Sequence, residues 1–268
     1  MRILHLPVGD PLAALDALSP LGPVDAELDA IGLRVLLAES PTLEAEVRAA
    51  LGLVDPAPLR WSAPVWRDAA SVAWIVPRPR RVGPVWVAPP GDGAPPRGTV
   101  WLADGEAFGT GAHPTTALCA EALAEVMEAA GPAPSVLDVG TGSGVLALVA
   151  LQLGARRVVG VDTDAAALAE AAHNVALNGE TARVELVVGG PEDRGRFPVV
   201  VANILAAPLQ VLAAAIADTV AHDGELVLGG IPVGVEAEVV RAYVRRGMRP
   251  GPVTTRGGWS CLRLRAGW

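Results

Sequence analysis

Two groups of residues in this chain have types and spacing that imply chemistry. Asp138-Val139-Gly140-Thr141-Gly142-Ser143-Gly144 follows a short apolar run, and Asp162 stands 22 residues after Gly140. Glycines at such a place let the backbone turn tightly and approach a ligand closely. A helix that starts just after them presents unpaired N–H groups, which suit a carboxylate. An acid at about this separation suits the hydroxyls of a ribose. A tight strand-to-helix turn with no ligand is the plain alternative. The nicotinamide fingerprint needs a small residue where Val145 stands, and glycine arrives one position early at Gly144. A branched side chain there hinders close packing of helix on strand, so a nucleoside-bearing ligand other than a nicotinamide is expected.

Two further segments are unusual. Ala107-Phe108-Gly109-Thr110-Gly111-Ala112-His113-Pro114-Thr115-Thr116 is a glycine-rich turn running into a helix start, with Pro114 at an opening helical position. Such a loop is structural as readily as functional. His113 taken alone is more often a satisfied loop histidine than a catalyst. Val201-Ala202-Asn203-Ile204-Leu205-Ala206 ends an apolar run on a polar residue. By position alone Asn203 is either a cap for the next segment or a substrate contact.

The elements that must hold these residues alternate. Thr115 to Ala130 is predicted helical, Ser135 to Val139 a buried strand, and Val145 to Leu153 an apolar helix. Val158 to Val161 is a strand. Ala165 to Leu177 is a helix, with Asp164 at its N-cap and Asn178-Gly179 at its end. Strands are predicted at Val184 to Val188, Val199 to Ala202, Glu225 to Leu228 and Trp259 to Leu264, with helices at Pro208 to Val220 and Val233 to Arg246. Alternation of this kind predicts an α/β fold, a mostly parallel sheet covered on both faces. Ligands then bind beyond the carboxyl ends of the strands, where the glycine loop and Asn203 both fall.

Residues 1–56 read as a smaller unit. Strands are predicted at Arg2 to Pro7, Val24 to Leu28 and Gly32 to Leu37. Helices fit Pro11 to Leu18, with Leu12, Leu15 and Leu18 on one face, and Thr42 to Leu51, with Leu43, Val47 and Leu51 on one face. Strand-helix-strand-strand-helix suits a small α+β, ferredoxin-like sandwich. Residues 57–98 carry many prolines and four of the seven tryptophans, Trp61, Trp66, Trp74 and Trp86. They read as a connector with short extended pieces that packs on something. Residues 99–268 form the larger α/β domain.

Composition narrows the classes. Hydrophobic residues make up 51% of 268, ample for a packed core. The net charge of -8 argues against stable nucleic-acid binding, which favours a basic excess. All 21 basic residues are arginine, which coding bias explains. Cys119 and Cys261 lie in no metal-ligand spacing, so no metal is expected, and they point to a reducing compartment. No signal peptide or membrane span is read, and a soluble, cytoplasmic, monomeric protein is expected.

Together, the segments at Phe108, Gly140 and Asn203 resemble the family of methyltransferases that modify ribosomal protein L11. That family carries Ala-Phe-Gly-Thr-Gly-x-His-x-Thr-Thr, then the glycine loop, then Asn-Ile-Leu-Ala, at about these separations. The resemblance is specific across residues 107–230, while the N-terminal part matches only in layout. It departs at Asp104-Gly105-Glu106, where the family has Pro-Gly, and in the connector, where Trp66 to Trp74 is a reduced version of an acidic helix.

The resemblance implies a Rossmann-like S-adenosylmethionine-dependent methyltransferase domain preceded by a substrate-recognition domain at residues 1–56. It implies cofactor contacts from Phe108, Thr110, Thr116, Asp138, Gly140, Gly142, Asp162 and Asn203. Phe108 and Thr110 would line the cofactor or substrate pocket. Asn203 would be the catalytic residue, holding the accepting nitrogen of an amino group on the ribosomal protein substrate. No single general base is expected to dominate. Glu192 and Asp193 fall where residues can approach the adenine, though a solvated turn is the favoured reading.

Overall fold

The computed structural model describes residues 2–6, 14, 17–18, 21, 25–28, 33–37, 40–53, 59–62, 80–90, 98–103 and 113–268. The chain divides into two compact units, Met1–Pro77 and Arg78–Trp268.

The first unit has strands β1 (Arg2–Leu6), β2 (Asp25–Leu28), β3 (Leu33–Leu37) and β4 (Arg60–Ser62), with helix α1 (Leu43–Ala50). The sheet runs β2-β3-β1-β4 with every neighbour antiparallel, the ferredoxin-like order. Ala14, Ala17 and Leu18 are helical; Leu12 and Leu15 lie outside the described residues. Leu4, Leu18, Val35, Leu37 and Val47 are fully buried, so one face of the sheet and one face of α1 share a core. The fourth strand comes from the proline- and tryptophan-rich stretch. Its three residues are too few to show a period, but Trp61 packs on this core and carries the Arg2 guanidinium 4.6 Å above its ring.

The second unit opens with a small sheet of β5 (Arg80–Val82), β6 (Val85–Ala88) and β7 (Thr99–Trp101). The β5–β6 hairpin turns at Gly83, whose φ of +60° and lack of a Cβ allow it to press on the backbone of α2 (Pro114–Ala129) at Ala120 and Glu121. Val82, Val85, Val87 and Val100 are buried against that helix.

The main sheet contains β8 (Ser135–Val139), β9 (Arg157–Asp162), β10 (Val184–Val188), β11 (Phe197–Asn203), β12 (Val220–Pro232), β13 (Met248–Arg256) and β14 (Trp259–Ala266). Its order is β10-β9-β8-β11-β12-β14-β13. The first five are parallel, and β14 runs antiparallel to both of its neighbours. Along β11, Val199 and Val201 face one core and Val200 and Ala202 the other. That period of two explains why the run is apolar without a break: both faces are covered.

One core holds α2 and α3 (Val145–Gln152), and the other holds α5 (Ala206–Val211), α6 (Ala213–Asp218) and α7 (Glu236–Val244). Helix α4 (Ala165–Leu177) runs between β9 and β10, with the Asp164 carboxylate accepting from Ala166 N–H at 2.8 Å as its cap. This is the Rossmann-like α/β class expected.

Beyond the short strand β7, the clearest departures from the sequence expectation follow β11. The helix expected through Val220 breaks at Leu212 and ends where Thr219 donates to the Ile216 carbonyl, and Val220 already belongs to β12. Strand β13 was not expected, because Pro250, Gly251 and Pro252 resemble a loop. It is an exposed edge strand with a register shift between Pro250 and Val253, where proline is tolerated. Among the described residues no helix is long and apolar enough to cross a membrane.

Candidate active site

From β8 the connections run toward β9 and β10; from β11 they run the other way, toward β12. The crevice beyond the carboxyl ends of β8 and β11 is therefore the topological switch point. Asp138 and Asn203 lie at those two strand ends.

The loop after β8 is folded onto β9. Gly140 N–H and Thr141 N–H both donate to the Val161 carbonyl, at 2.8 and 3.0 Å. Gly142 N–H donates to Asp162 Oδ2 at 2.9 Å, while Asp162 Oδ1 accepts from Asp164 N–H at 3.0 Å. Gly140, Gly142 and Gly144 have φ of 71°, 54° and 80°, the left-handed region that side chains avoid. Gly144 also brings α3 against Ala171 of α4. Asp162 thus shapes the loop as well as standing beside it.

Asp138 is buried, and Thr141 Oγ1 donates to its Oδ2 at 2.7 Å. Burial pushes its pKa up to about 7, against the opposing pull of the Thr141 hydroxyl and the Ala147 N–H; the nearby Asp162 charge adds to the rise.

Across the crevice, Asn203 pairs with Gly229 of β12. It is 9% exposed, and its Oδ1 has no hydrogen-bond partner among the described residues. The Oγ1 of Thr116, in the first turn of α2, is likewise buried and unpartnered among them. Two orphaned buried oxygens in one site are unusual, since buried polar atoms are nearly always satisfied.

Gly229 leaves the room that Asn203 needs: a Cβ there would lie 2.7 Å from Asn203 Oδ1 and 2.3 Å from Cys119 Sγ. Gly230, at φ 76°, brings the backbone of β12 against the Ile204 carbonyl. Neither glycine was singled out from the sequence, although paired glycines inside a strand pattern signal close backbone approach.

His113 caps α2. Its backbone is extended, its Nδ1 lies 2.8 Å from Thr115 Oγ1, and Thr115 N–H approaches Nδ1 at 3.4 Å. Burial lowers its pKa, which favours the neutral ring. The ring meets Trp259 of β14 edge-on, with centroids 4.9 Å apart. Trp259 is distant in sequence and carried no motif. Glu192 and Asp193 are exposed in a turn, Asp193 at φ 60°. Phe108 and Thr110 lie outside the described residues.

The residues present fit a nucleoside with an amino-acid tail. The three left-handed glycines turn the loop tightly at the switch point, Asp162 supplies a carboxylate, and Thr116 Oγ1 and Asn203 Oδ1 supply polar atoms unsatisfied among the described residues. Among the described residues no cluster of His, Cys, Asp and Glu could hold a metal.

Comparison with known proteins agrees with this geometry. The family model described as ribosomal protein L11 methyltransferase (PrmA) matches residues 66–266. A ribosomal protein L11 methyltransferase of Geobacter metallireducens is 51% identical over 167 residues, covering 62% of this chain and 54% of that protein. One from Geobacter sulfurreducens is 47% identical over 197 residues, covering 70% and 62%. The chain thus spans between 54% and 62% of the length of these two curated relatives. The crystal structure of a ribosomal protein L11 methylase from Lactobacillus delbrueckii subsp. bulgaricus, 28% identical, superposes with a TM-score of 0.63 over 70% of this chain and 99% of that one.

Proposed function

The chain belongs to the family of ribosomal protein L11 methyltransferases, and from that premise we propose that it methylates amino groups of ribosomal protein L11 with S-adenosylmethionine as donor. The observation that carries the proposal is the buried Asn203 Oδ1, unpartnered among the described residues, at the switch point across from the glycine loop.

When bound, S-adenosylmethionine supplies a methyl group already activated on a sulfonium. What this chain must supply is position and a neutral nucleophile. Gly140, Gly142 and Asp162 would hold the nucleoside and tail, with Asp138 and Thr116 behind them; Phe108 and Thr110 belong to the same proposed set. Orientation of donor and acceptor provides much of the rate in such a transfer.

A lysine amine has a pKa of about 10.4, so deprotonating it at neutral pH costs roughly 4.6 kcal/mol. A buried pocket disfavours the charged form and lowers that cost. The amide oxygen of Asn203 can accept one amine hydrogen and aim the lone pair, without the full negative charge that would hold an ammonium ion in place. Glu192 and Asp193, exposed in their turn, offer no buried base.

Recognition of the ribosomal protein falls, in this proposal, to residues 1–56, with residues 57–98 as connector and 99–268 carrying out transfer. The enzyme would work as a cytoplasmic monomer, binding no nucleic acid stably. Incubation with methyl-labelled cofactor and purified ribosomal protein L11 tests the reading. Label should enter the protein at amino groups. Transfer to RNA or to a small molecule instead, with none to the protein, would overturn it.

A further inference from the structure

Asn174 is completely buried in α4, outside the set of residues assigned to the cofactor, and both ends of its amide are used. Its Nδ2 donates to the Ser143 carbonyl of the glycine loop at 2.9 Å. Its Oδ1 accepts from Ala103 N–H, just past β7, at 2.9 Å. One turn on, Asn178 pairs with both backbone groups of Trp101: it accepts from the N–H at 2.8 Å and donates to the carbonyl at 2.7 Å. Ala171, one turn earlier, is the residue against which Gly144 packs. Ala171, Asn174 and Asn178 therefore form a single face of α4, since residues three and four apart are helix neighbours.

We propose that Asn174 is a positioning residue for the cofactor site, locking the glycine loop to the strand that leads toward Thr116 through one buried amide. This rests on the S-adenosylmethionine reading above. The chemistry requires an amide. Donor and acceptor must be offered in one plane by a neutral group, because a carboxylate would set its charge against the Ser143 carbonyl and an alkyl group would leave both backbone partners unpaired. The same helix face thus holds Ser143 of the loop on one side and Ala103 and Trp101 on the other, so a shift of the loop that carries Gly140 and Gly142 strains the amide that also holds Ala103. Asn174 then acts on affinity without touching the ligand.

The test compares wild type, Asn174→Asp, Asn174→Leu and Tyr243→Phe. The last removes a buried hydrogen bond to the Leu209 carbonyl on the far side of the sheet and so controls for simple destabilisation. Binding of S-adenosylhomocysteine is measured by calorimetry well below each melting temperature, with amide exchange at Ala103 followed in parallel. Both Asn174 variants should bind about tenfold or more weakly, a loss of roughly 1.4 kcal/mol. Tyr243→Phe should bind as wild type does. Ala103 should exchange faster in Asn174→Leu yet stay protected in Asn174→Asp, which keeps the acceptor; if the leucine variant does not fold, the aspartate variant alone decides. Asn174 variants that bind within twofold of wild type, or a Tyr243→Phe loss as large as theirs, would overturn the proposal. Wild type that binds no S-adenosylhomocysteine would instead overturn the cofactor reading beneath it.

Discussion

Gly140 and Ile204 meet face to face: a Cβ on Gly140 would stand 2.3 Å from Ile204 Cγ2. The loop after β8 and the segment after β11 are therefore in direct contact, and the proposed donor and acceptor halves of the site share a wall. Gly140→Ala should cost roughly 1–2 kcal/mol from its left-handed backbone alone, before the clash. Binding of S-adenosylhomocysteine should weaken at least tenfold. Adding Ile204→Ala removes the clashing methyl and should recover part of the affinity, leaving the backbone cost. Calorimetric titration of the single and double variants checks this.

Asn203→Ala should lower kcat by about a hundredfold or more, the usual scale for losing a group that orients the reacting atoms. Asn203→Asp is not a mild change. Its carboxylate stabilises the ammonium form of the acceptor, so remaining activity should move to higher pH. Rate profiles with labelled cofactor separate the two outcomes; an unshifted profile in Asn203→Asp would remove the argument for a neutral acceptor.

Gly229→Ala places a methyl into Asn203 Oδ1 and Cys119 Sγ. The amide should be displaced, and kcat should fall more than cofactor affinity does. Pairing it with Cys119→Ala relieves the shorter of the two contacts and should restore part of the rate. Steady-state kinetics against both substrates tests the split.

Asp138 makes stability depend on pH in a definite direction. Its folded pKa of about 7 lies above the ordinary aspartate value of 3.8, so the folded state keeps the proton longer than the unfolded chain does. The contribution is fully present below about pH 4 and is lost as pH rises toward 7. A shift of this size corresponds to something on the order of 4 kcal/mol. Asp138→Asn keeps an acceptor for Thr141 and removes the titration. It should melt higher than wild type at pH 8, with the gap closing toward pH 4. Thermal unfolding of both proteins across that range is the measurement.

Cys119 and Cys261 are buried and hydrogen-bonded to each other; that bond and burial raise the Cys119 pKa well above its ordinary value. The thiolate is the reactive form. Native protein should resist a disulfide reagent such as Ellman's, and both thiols should react once the chain is unfolded. Rapid labelling of the native state would show that this region opens.

Much of this architecture follows from local pattern. Val199 to Ala202 is apolar without a break because β11 is covered on both faces, and Asp164 does cap α4. The loop from Gly140 to Gly144 folds with the left-handed backbone its glycines allow. What stayed hidden depends on distant pairing. Among the described residues Trp61 joins the first sheet through β1, and β13 is held as a strand by β14 beside it. In the same way Trp259 matters through His113, Gly229 through Asn203, and Asn174 through Ser143 and Ala103. A paired glycine can signal close approach, but a single sequence does not name the remote partner through which such a residue acts.

The edge-on contact of His113 and Trp259 joins the start of α2 to β14, remote along the chain. Contacts so far apart in sequence form late, because a long loop must close before they return any energy. During synthesis the glycine loop and its β8–β9 support can assemble while β14 is still unmade. The start of α2 at His113 gains its Trp259 contact only once β14 has formed, so this flank of the site should order after the glycine loop does.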